Sequence, residues 1–327
     1  MTITAPTRPD TLADPARVPT VVVTGAKGPA GRALARQFEV LRAAGLALRT
    51  VGADMLPGAD PAWDSTAVLP AVHDAEYLAS LRRLLERVEA DLLIPTVAEE
   101  LPILAQTGQS LAPDSSCAVV LSGAGPSAAC ADKLLTMWAL DAAGVSIPRY
   151  RAITVGDDAA GLIAWAEGPV VVKPRVSRGG RGVHLVEHRD DPVHTAGSWI
   201  AQSFAPGTEY CPQVYRSPHT GEVRVVVVEK TELKQGRVGN AAHARRLPEG
   251  EAVDVAWLAE CAVTALDLVG PVDLDIRRDE QGVPVVLEVN ARFGANSHLA
   301  PELLHAVLRD WDLTSAVARP GATGVHA

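Results

Sequence analysis

A β-branched run, Thr20-Val21-Val22-Val23-Thr24, leads straight into Gly25-Ala26-Lys27-Gly28-Pro29-Ala30-Gly31 and then into apolar residues at helical spacing, Leu34, Phe38 and Leu41. Strand, glycine turn and helix in that order open a βαβ unit. The pattern recurs as a strand at Ala47–Val51, a helix over Glu76–Glu89 and a strand at Asp91–Pro95. The first hundred or so residues are therefore expected to form a Rossmann-like parallel α/β layer.

The glycines are spaced GxxGxxG (Gly25, Gly28, Gly31), where the dinucleotide fingerprint is GxGxxG, and Asp54 follows at about the distance of a ribose-binding acid. A helix N-terminus behind glycines favours an anion. On this motif NAD(P) binding, a small-carboxylate site and a purely structural turn all stay open.

The texture then changes. A loop over Leu121–Ser127 precedes a helix from about Ala128 to Ala143, closed by Gly144 and Pro148. Beyond it come short strands at Pro169–Lys173, Gly182–Val186, Trp199–Phe204, Glu222–Glu229, Val272–Ile276 and Val283–Asn290, with helices between them. That is α+β built on antiparallel sheet. The chain's 327 residues suit about two domains, or one core with an added lobe. A content of 47% hydrophobic and 21% charged residues excludes a disordered chain. No apolar run reaches the roughly 20 residues of a membrane span. The net charge of -9 argues against a nucleic-acid partner. Four scattered cysteines without a CxxC pair argue against zinc and disulfides, and suit a reducing, cytoplasmic setting. Only five lysines occur (Lys27, Lys133, Lys173, Lys230, Lys234), so each is marked for attention.

Three stretches carry candidate chemistry. In Val170-Val171-Val172-Lys173-Pro174 the strand period puts Lys173 on one face with Val171. The following Arg175–Val183 segment, rich in glycine and arginine, can fold backbone N–H groups over phosphates, or can be an ordinary solvated hairpin. Gln202-Ser203-Phe204-Ala205-Pro206-Gly207-Thr208-Glu209 runs strand, turn, acid, which suits a flat base and a ribose, or a plain β-turn. In the hairpin of Val272–Ile276 and Val283–Asn290, period two puts Asp273 and Asp275 on one face. Glu288 and Asn290 share the matching face of the partner strand, with Leu287 and Val289 opposite. Arg292 lies two residues on. Hard oxygen ligands converging there suit Mg²⁺ carried by substrate phosphates, and an exposed polar hairpin face is the alternative.

Taken in order, these stretches resemble the ATP-grasp superfamily, in the branch of carbamoyl-phosphate synthetase and biotin carboxylase. The resemblance runs from about Thr20 to Trp311. It rests on Asp132-Lys133 opening a helix toward Ala143-Gly144-Val145, then VVKP, RGGRGV, QSFAPGTEY, Asp275, and Glu288-Val289-Asn290-Ala291-Arg292. It implies a tail (1–18), an N-terminal α/β domain (19–125), a linker helix with a lid subdomain (126–200), a C-terminal subdomain with the metal site (201–312) and a second tail (313–327). It implies that Lys133 and Lys173 contact ATP phosphates under a loop of Gly179, Gly180 and Gly182. Gln202 and the Phe204 backbone would meet adenine, and Glu209 the ribose. Asp275, Glu288 and Asn290 would hold Mg²⁺ or Mn²⁺, with Arg292 and Lys173 catalytic.

Between Val186 and Trp199 there is room for only a short helix, so a trimmed lid is expected. Ala98 replaces an acid common in relatives, which leaves a substrate role for Glu99 or Glu100 open. The implied activity is an ADP-forming carboxylate–amine ligase joining a small carboxylic acid to an amine through an acyl phosphate, with a homodimer compatible. The competing readings are a one-carbon carboxylating or carbamoylating enzyme, a non-catalytic nucleotide sensor, and a dehydrogenase.

Overall fold

The alternation Val21, Val22, Val23 sends side chains to both faces of a strand, and all three are fully buried. Only a sheet covered on both faces can do this. The computed structural model describes residues 17–111, 117–177, 179–311 and 313. In it β1 (Thr20–Thr24), α1 (Pro29–Ala43), β2 (Arg49–Asp54), β3 (Ser65–Val68), α2 (Tyr77–Arg87), β4 (Leu92–Ile94), α3 (Leu101–Leu111) and β5 (Ala118–Val119) form the first layer. Its five strands are parallel in the order β3-β2-β1-β4-β5. Val21 and Val23 pack with Phe38 of α1, while Val22 packs with Leu81 and Leu85 of α2. The expected parallel layer is present.

Next come α4 (Ala124–Ala131) and α5 (Lys133–Ala142) where one helix was expected. Asp132 is the reason for the break. Its backbone is extended, and its side chain accepts from the N–H groups of Leu134 (2.9 Å) and Leu135, capping α5. The middle sheet follows: β6 (Tyr150–Ala152), α6 (Ala159–Ala166), β7 (Val170–Pro174), β8 (His184–Val186) and β9 (Trp199–Ser203), antiparallel in the order β6-β9-β7-β8. Residues 187–198 hold turns and no helix, so the segment is shorter still than the one short helix it had room for. Asp191 folds back to accept from the N–H groups of Glu187 and His188 (both 2.8 Å), which satisfies a tight turn there.

The last sheet has seven strands: β10 (Glu209–Tyr210), β11 (Gln213–Arg216), β12 (Val223–Val226), β13 (Val228–Gln235), β14 (Val238–Arg246), β15 (Gly270–Arg278) and β16 (Pro284–Asn290). The helices α7 (Val253–Ala265) and α8 (Pro301–Asp310) accompany it. The strand expected over Glu222–Glu229 is broken at Val227, because its halves pair with different partners, β11 and β10. The long β13–β14 hairpin was not anticipated, and the helices expected among these strands had been given no bounds. Helix α8 joins α1 and the first sheet in one core, through Leu303, Leu304 and Val307. Leu313 belongs to that core, while most of the expected terminal tails lies outside the described residues. No helix among the described residues is long and apolar enough to cross a membrane.

Candidate functional site

The middle and last sheets face each other across an open cleft lined by Val171, Lys173, Gln202, Glu209, Asp275 and Glu288. Strand β7 supplies one wall. Val170 and Val172 point into the core between the middle sheet and α6, so Lys173 and Val171 must face the cleft, as the strand period predicted. Lys173 is 5% exposed, and burial pushes its ammonium down to about 8, with Glu288 opposing. Its Nζ donates to the Leu287 carbonyl at 3.0 Å.

The opposite wall is the β15–β16 hairpin. Leu274 and Ile276 are fully buried beneath it, and Asp275 stands directly across from Glu288. The register then slips: Ile276 pairs with Val286, leaving Leu287 as a β-bulge. This corrects the expectation that Leu287 lies opposite Glu288. The bulge turns Leu287 into the cleft beside Glu288, while Val286 and Val289 fill the core. The Leu287 carbonyl then accepts from Lys173 and, at 3.4 Å, from Gln202.

Lys133, at the start of α5, reaches the same wall. Its Nζ lies 3.4 Å from Glu288 Oε1 and donates to the Ser177 carbonyl at 3.0 Å. Burial favours a neutral Glu288, but Lys133, Lys173 and Arg292 hold its carboxyl below the usual range. Asn290 Oδ1 accepts from Arg292 at 2.9 Å. Among the described residues no group of three His, Cys, Asp or Glu side chains is arranged to hold a metal ion. Two carboxylates with an amide oxygen nevertheless fit Mg²⁺, which completes its shell with phosphates and water.

Gly179, Gly180 and Gly182 all have positive φ, at 66°, 71° and 74°. The loop they form lies against Asn240 of β14, a cleft residue that sequence reasoning missed. At the far end Gln202 is buried and donates to Met137 Sδ at 3.1 Å. The Phe204 N–H is already committed to the Pro169 carbonyl at 2.9 Å, so only its carbonyl could meet a base. That narrows the expectation for Phe204. Its ring lies under two guanidinium groups, Arg237 at 4.5 Å and Arg277 at 4.8 Å from the centroid.

Glu209 is not a free ribose acceptor in this state. Lys230 Nζ donates to Glu209 Oε1 and Asp275 Oδ1, both at 2.6 Å, and Arg277 lies 3.3 Å from Glu209 Oε2. Burial opposes a charged Lys230, yet Asp275 and Glu209 raise its ammonium well above the ordinary value. Lysine scarcity was the one sequence signal for Lys230: three of the five lysines meet here.

The N-terminal glycines serve the turn. A Cβ on Gly31 would lie 2.5 Å from the Gly25 carbonyl oxygen. Asp54 accepts from the backbone N–H groups of Lys27 (2.9 Å) and Leu56 (3.0 Å), so it braces this turn where a ribose contact was one expectation. Glu100 is buried and accepts from Thr24 Oγ1 at 2.5 Å. None of these residues lines the cleft.

The model of the ATP-grasp domain matches residues 130–296, just over half of the chain and all of the cleft. The chain belongs to the ATP-grasp family. An uncharacterized protein of Sinorhizobium fredii is 26% identical over 181 residues, covering 51% of this chain and 37% of that protein. The chain thus spans little more than a third of that curated relative. An L-amino acid ligase from Bacillus licheniformis has a similar fold at TM-score 0.62 and 21% identity, over 86% of this chain and 69% of that one. So does biotin carboxylase from Campylobacter jejuni, in a β-γ-ATP complex, at TM-score 0.66 and 15% identity, over 93% and 72%. An ADP complex of N5-carboxyaminoimidazole synthetase from Staphylococcus aureus gives 0.65 and 14%, over 93% and 79%.

In this ATP-grasp chain the glycine loop offers a direct test. Arg181 is exposed within it, whereas Arg175 is bound to Asp132. ATP with Mg²⁺ is expected to slow tryptic cleavage after Arg181 at least tenfold, by holding the loop closed. NADH is expected to leave it unchanged. Equal protection by NADH, followed by mass spectrometry of the fragments, would revive the dinucleotide reading.

Proposed function

We propose that this protein is an ADP-forming ligase that joins a small-molecule carboxylic acid to an amine. A carboxylate is a poor electrophile, and its charge repels nucleophiles. Transfer of the γ-phosphoryl group of ATP to one carboxylate oxygen breaks the bond to the β-phosphate oxygen and yields ADP and an acyl phosphate. The amine nitrogen then attacks the acyl carbon, phosphate leaves and the nitrogen loses a proton. The observation that carries this reading is the meeting of Lys133, Lys173, Asp275 and Glu288 at one cleft.

Lys133 and Lys173 bind phosphate oxygens, and the loop of Gly179, Gly180 and Gly182 covers them and excludes water. Gln202 and the Phe204 carbonyl meet the base. Glu209 takes the ribose by exchanging one of its present contacts. Asp275, Glu288 and Asn290 would hold Mg²⁺ or Mn²⁺, which would supply charge neutralisation at the phosphates. Arg292 steadies the phosphoryl group as its charge moves. The parts of the chain divide the work: residues 126–200 act as the lid and residues 201–312 carry the metal site.

The test is isotopic. With ¹⁸O-labelled acid, an amine and ATP, the released phosphate is expected to carry one ¹⁸O from the acid. An adenylating enzyme would leave the label in AMP and release pyrophosphate. Screening ADP release against panels of acids and amines, bicarbonate included, separates amide formation from one-carbon chemistry. Finding AMP, or unlabelled phosphate beside the ligated product, would overturn the acyl-phosphate mechanism.

A further inference from the structure

Asp273 is central to a polar row that crosses three neighbouring strands, and the proposed reaction gives it no role. Its Cα pairs with Gln213 of β11 on one side and Asn290 of β16 on the other. Gln213 is 2% exposed and donates from Nε2 to Asp273 Oδ1 and to the Cys211 carbonyl. The Arg292 guanidinium closes the row. Its Nη1 donates to Asp273 Oδ2 at 3.3 Å and to the Phe293 carbonyl at 3.0 Å, and its Nη2 donates to Asn290 Oδ1 at 2.9 Å. Each oxygen of Asp273 thus has its own donor, one from a neighbouring strand and one from Arg292.

The chain beyond Arg292 turns back over this carboxylate. A Cβ on Gly294 would lie 2.3 Å from the Asp273 carboxyl carbon, so a larger residue there would push the carboxylate out of place. The enclosure leaves the Arg292 side chain 14% and the Asp273 side chain 13% exposed.

A free arginine side chain loses rotamer entropy when it is fixed in one place. A guanidinium two residues past a strand end would have to be ordered at every turnover unless something held it. Charge already aimed at the reacting group costs no reorganisation when the reaction occurs. We propose that Asp273 is a positioning residue for Arg292. Backed by Gln213, it fixes the guanidinium on the hairpin beside Asp275 and Glu288, ready for the transferred phosphoryl group. The use made of that position rests on the ligase reading. The positioning itself does not.

The first experiment uses the ligand-free protein labelled with ¹⁵N-arginine, with the Arg292 signals assigned by their loss in Arg292→Lys. Held on both Nη atoms, Arg292 is expected to give resolved, slowly rotating Nη signals. In Asp273→Asn those signals are expected to merge by fast rotation, while the other arginines keep their spectrum. Gln213→Met is expected to have a weaker effect of the same kind, and it serves if the Asn variant does not fold. Unchanged restraint of Arg292 in both variants would overturn the proposal, whatever the reaction is.

The second experiment is a double-mutant cycle on ADP release, with the most active acid and amine from the screen. Asp273→Asn is expected to lower kcat at least tenfold, to leave the Kd for ATP with Mg²⁺ within about twofold, and to cost nothing more in an Arg292→Ala background. Losses that multiply in the double variant would overturn the proposal. A fully active Arg292→Ala would instead refute the role given to Arg292 in the ligase reading, with the spectroscopic result still judging Asp273.

Discussion

Glu288→Gln is expected to leave the protein folded and to lower Mg²⁺-dependent ADP formation by a factor on the order of a thousand or more. Glu288 faces Asp275 across the hairpin and lies 3.4 Å from Lys133, so in the proposed ligase one charge would serve both the metal and a phosphate-binding lysine. The amide keeps the shape and one oxygen but removes the charge. The fold should survive, because the core beneath the hairpin is Leu274, Ile276, Val286 and Val289. Circular dichroism with steady-state ADP release reads both parts. A variant retaining a third of wild-type turnover would mean that Glu288 is not a metal ligand.

Lys230→Met is expected to cost about 3–5 kcal/mol of folding stability, the usual loss when one partner of a buried ion pair is removed. The Lys230 and Glu209 side chains are 4% and 8% exposed, and Asp275 shares the same ammonium. Methionine fills the space but leaves two carboxylates facing each other, with Arg277 as the remaining counter-charge on Glu209. Lys230→Arg keeps the charge and should recover part of the loss. Urea unfolding monitored by fluorescence gives the values. A loss below about 1 kcal/mol would mean that water replaces the lysine, as in exposed pairs.

Much of the site was legible because it is written in short-range periodicity. Val170, Val172 and Lys173 could be assigned to faces from the strand period alone, and so could Asp275 and Glu288. The motif order also pointed to the family, since each motif is local and needs only its neighbours to be read. Lys230 was marked only as a rare lysine. Its partners lie 21 and 45 residues away, and nothing in the adjacent valines announces them.

The sequence by itself determined the parallel first layer, the antiparallel remainder and the faces of the strands that carry the site. These follow from backbone geometry, in which successive side chains must alternate and β-branched runs must extend. Only the tertiary structure decided the bulge at Leu287, because an unpaired residue exists only relative to a partner strand. It likewise decided that Phe204 has its N–H spent on Pro169, that Lys230 bridges Glu209 and Asp275, and that Asp273 holds Arg292. Each of these is a buried polar group compensated by a residue distant in the chain. Burial makes such compensation necessary, and only the packing of separate strands determines which residue provides it.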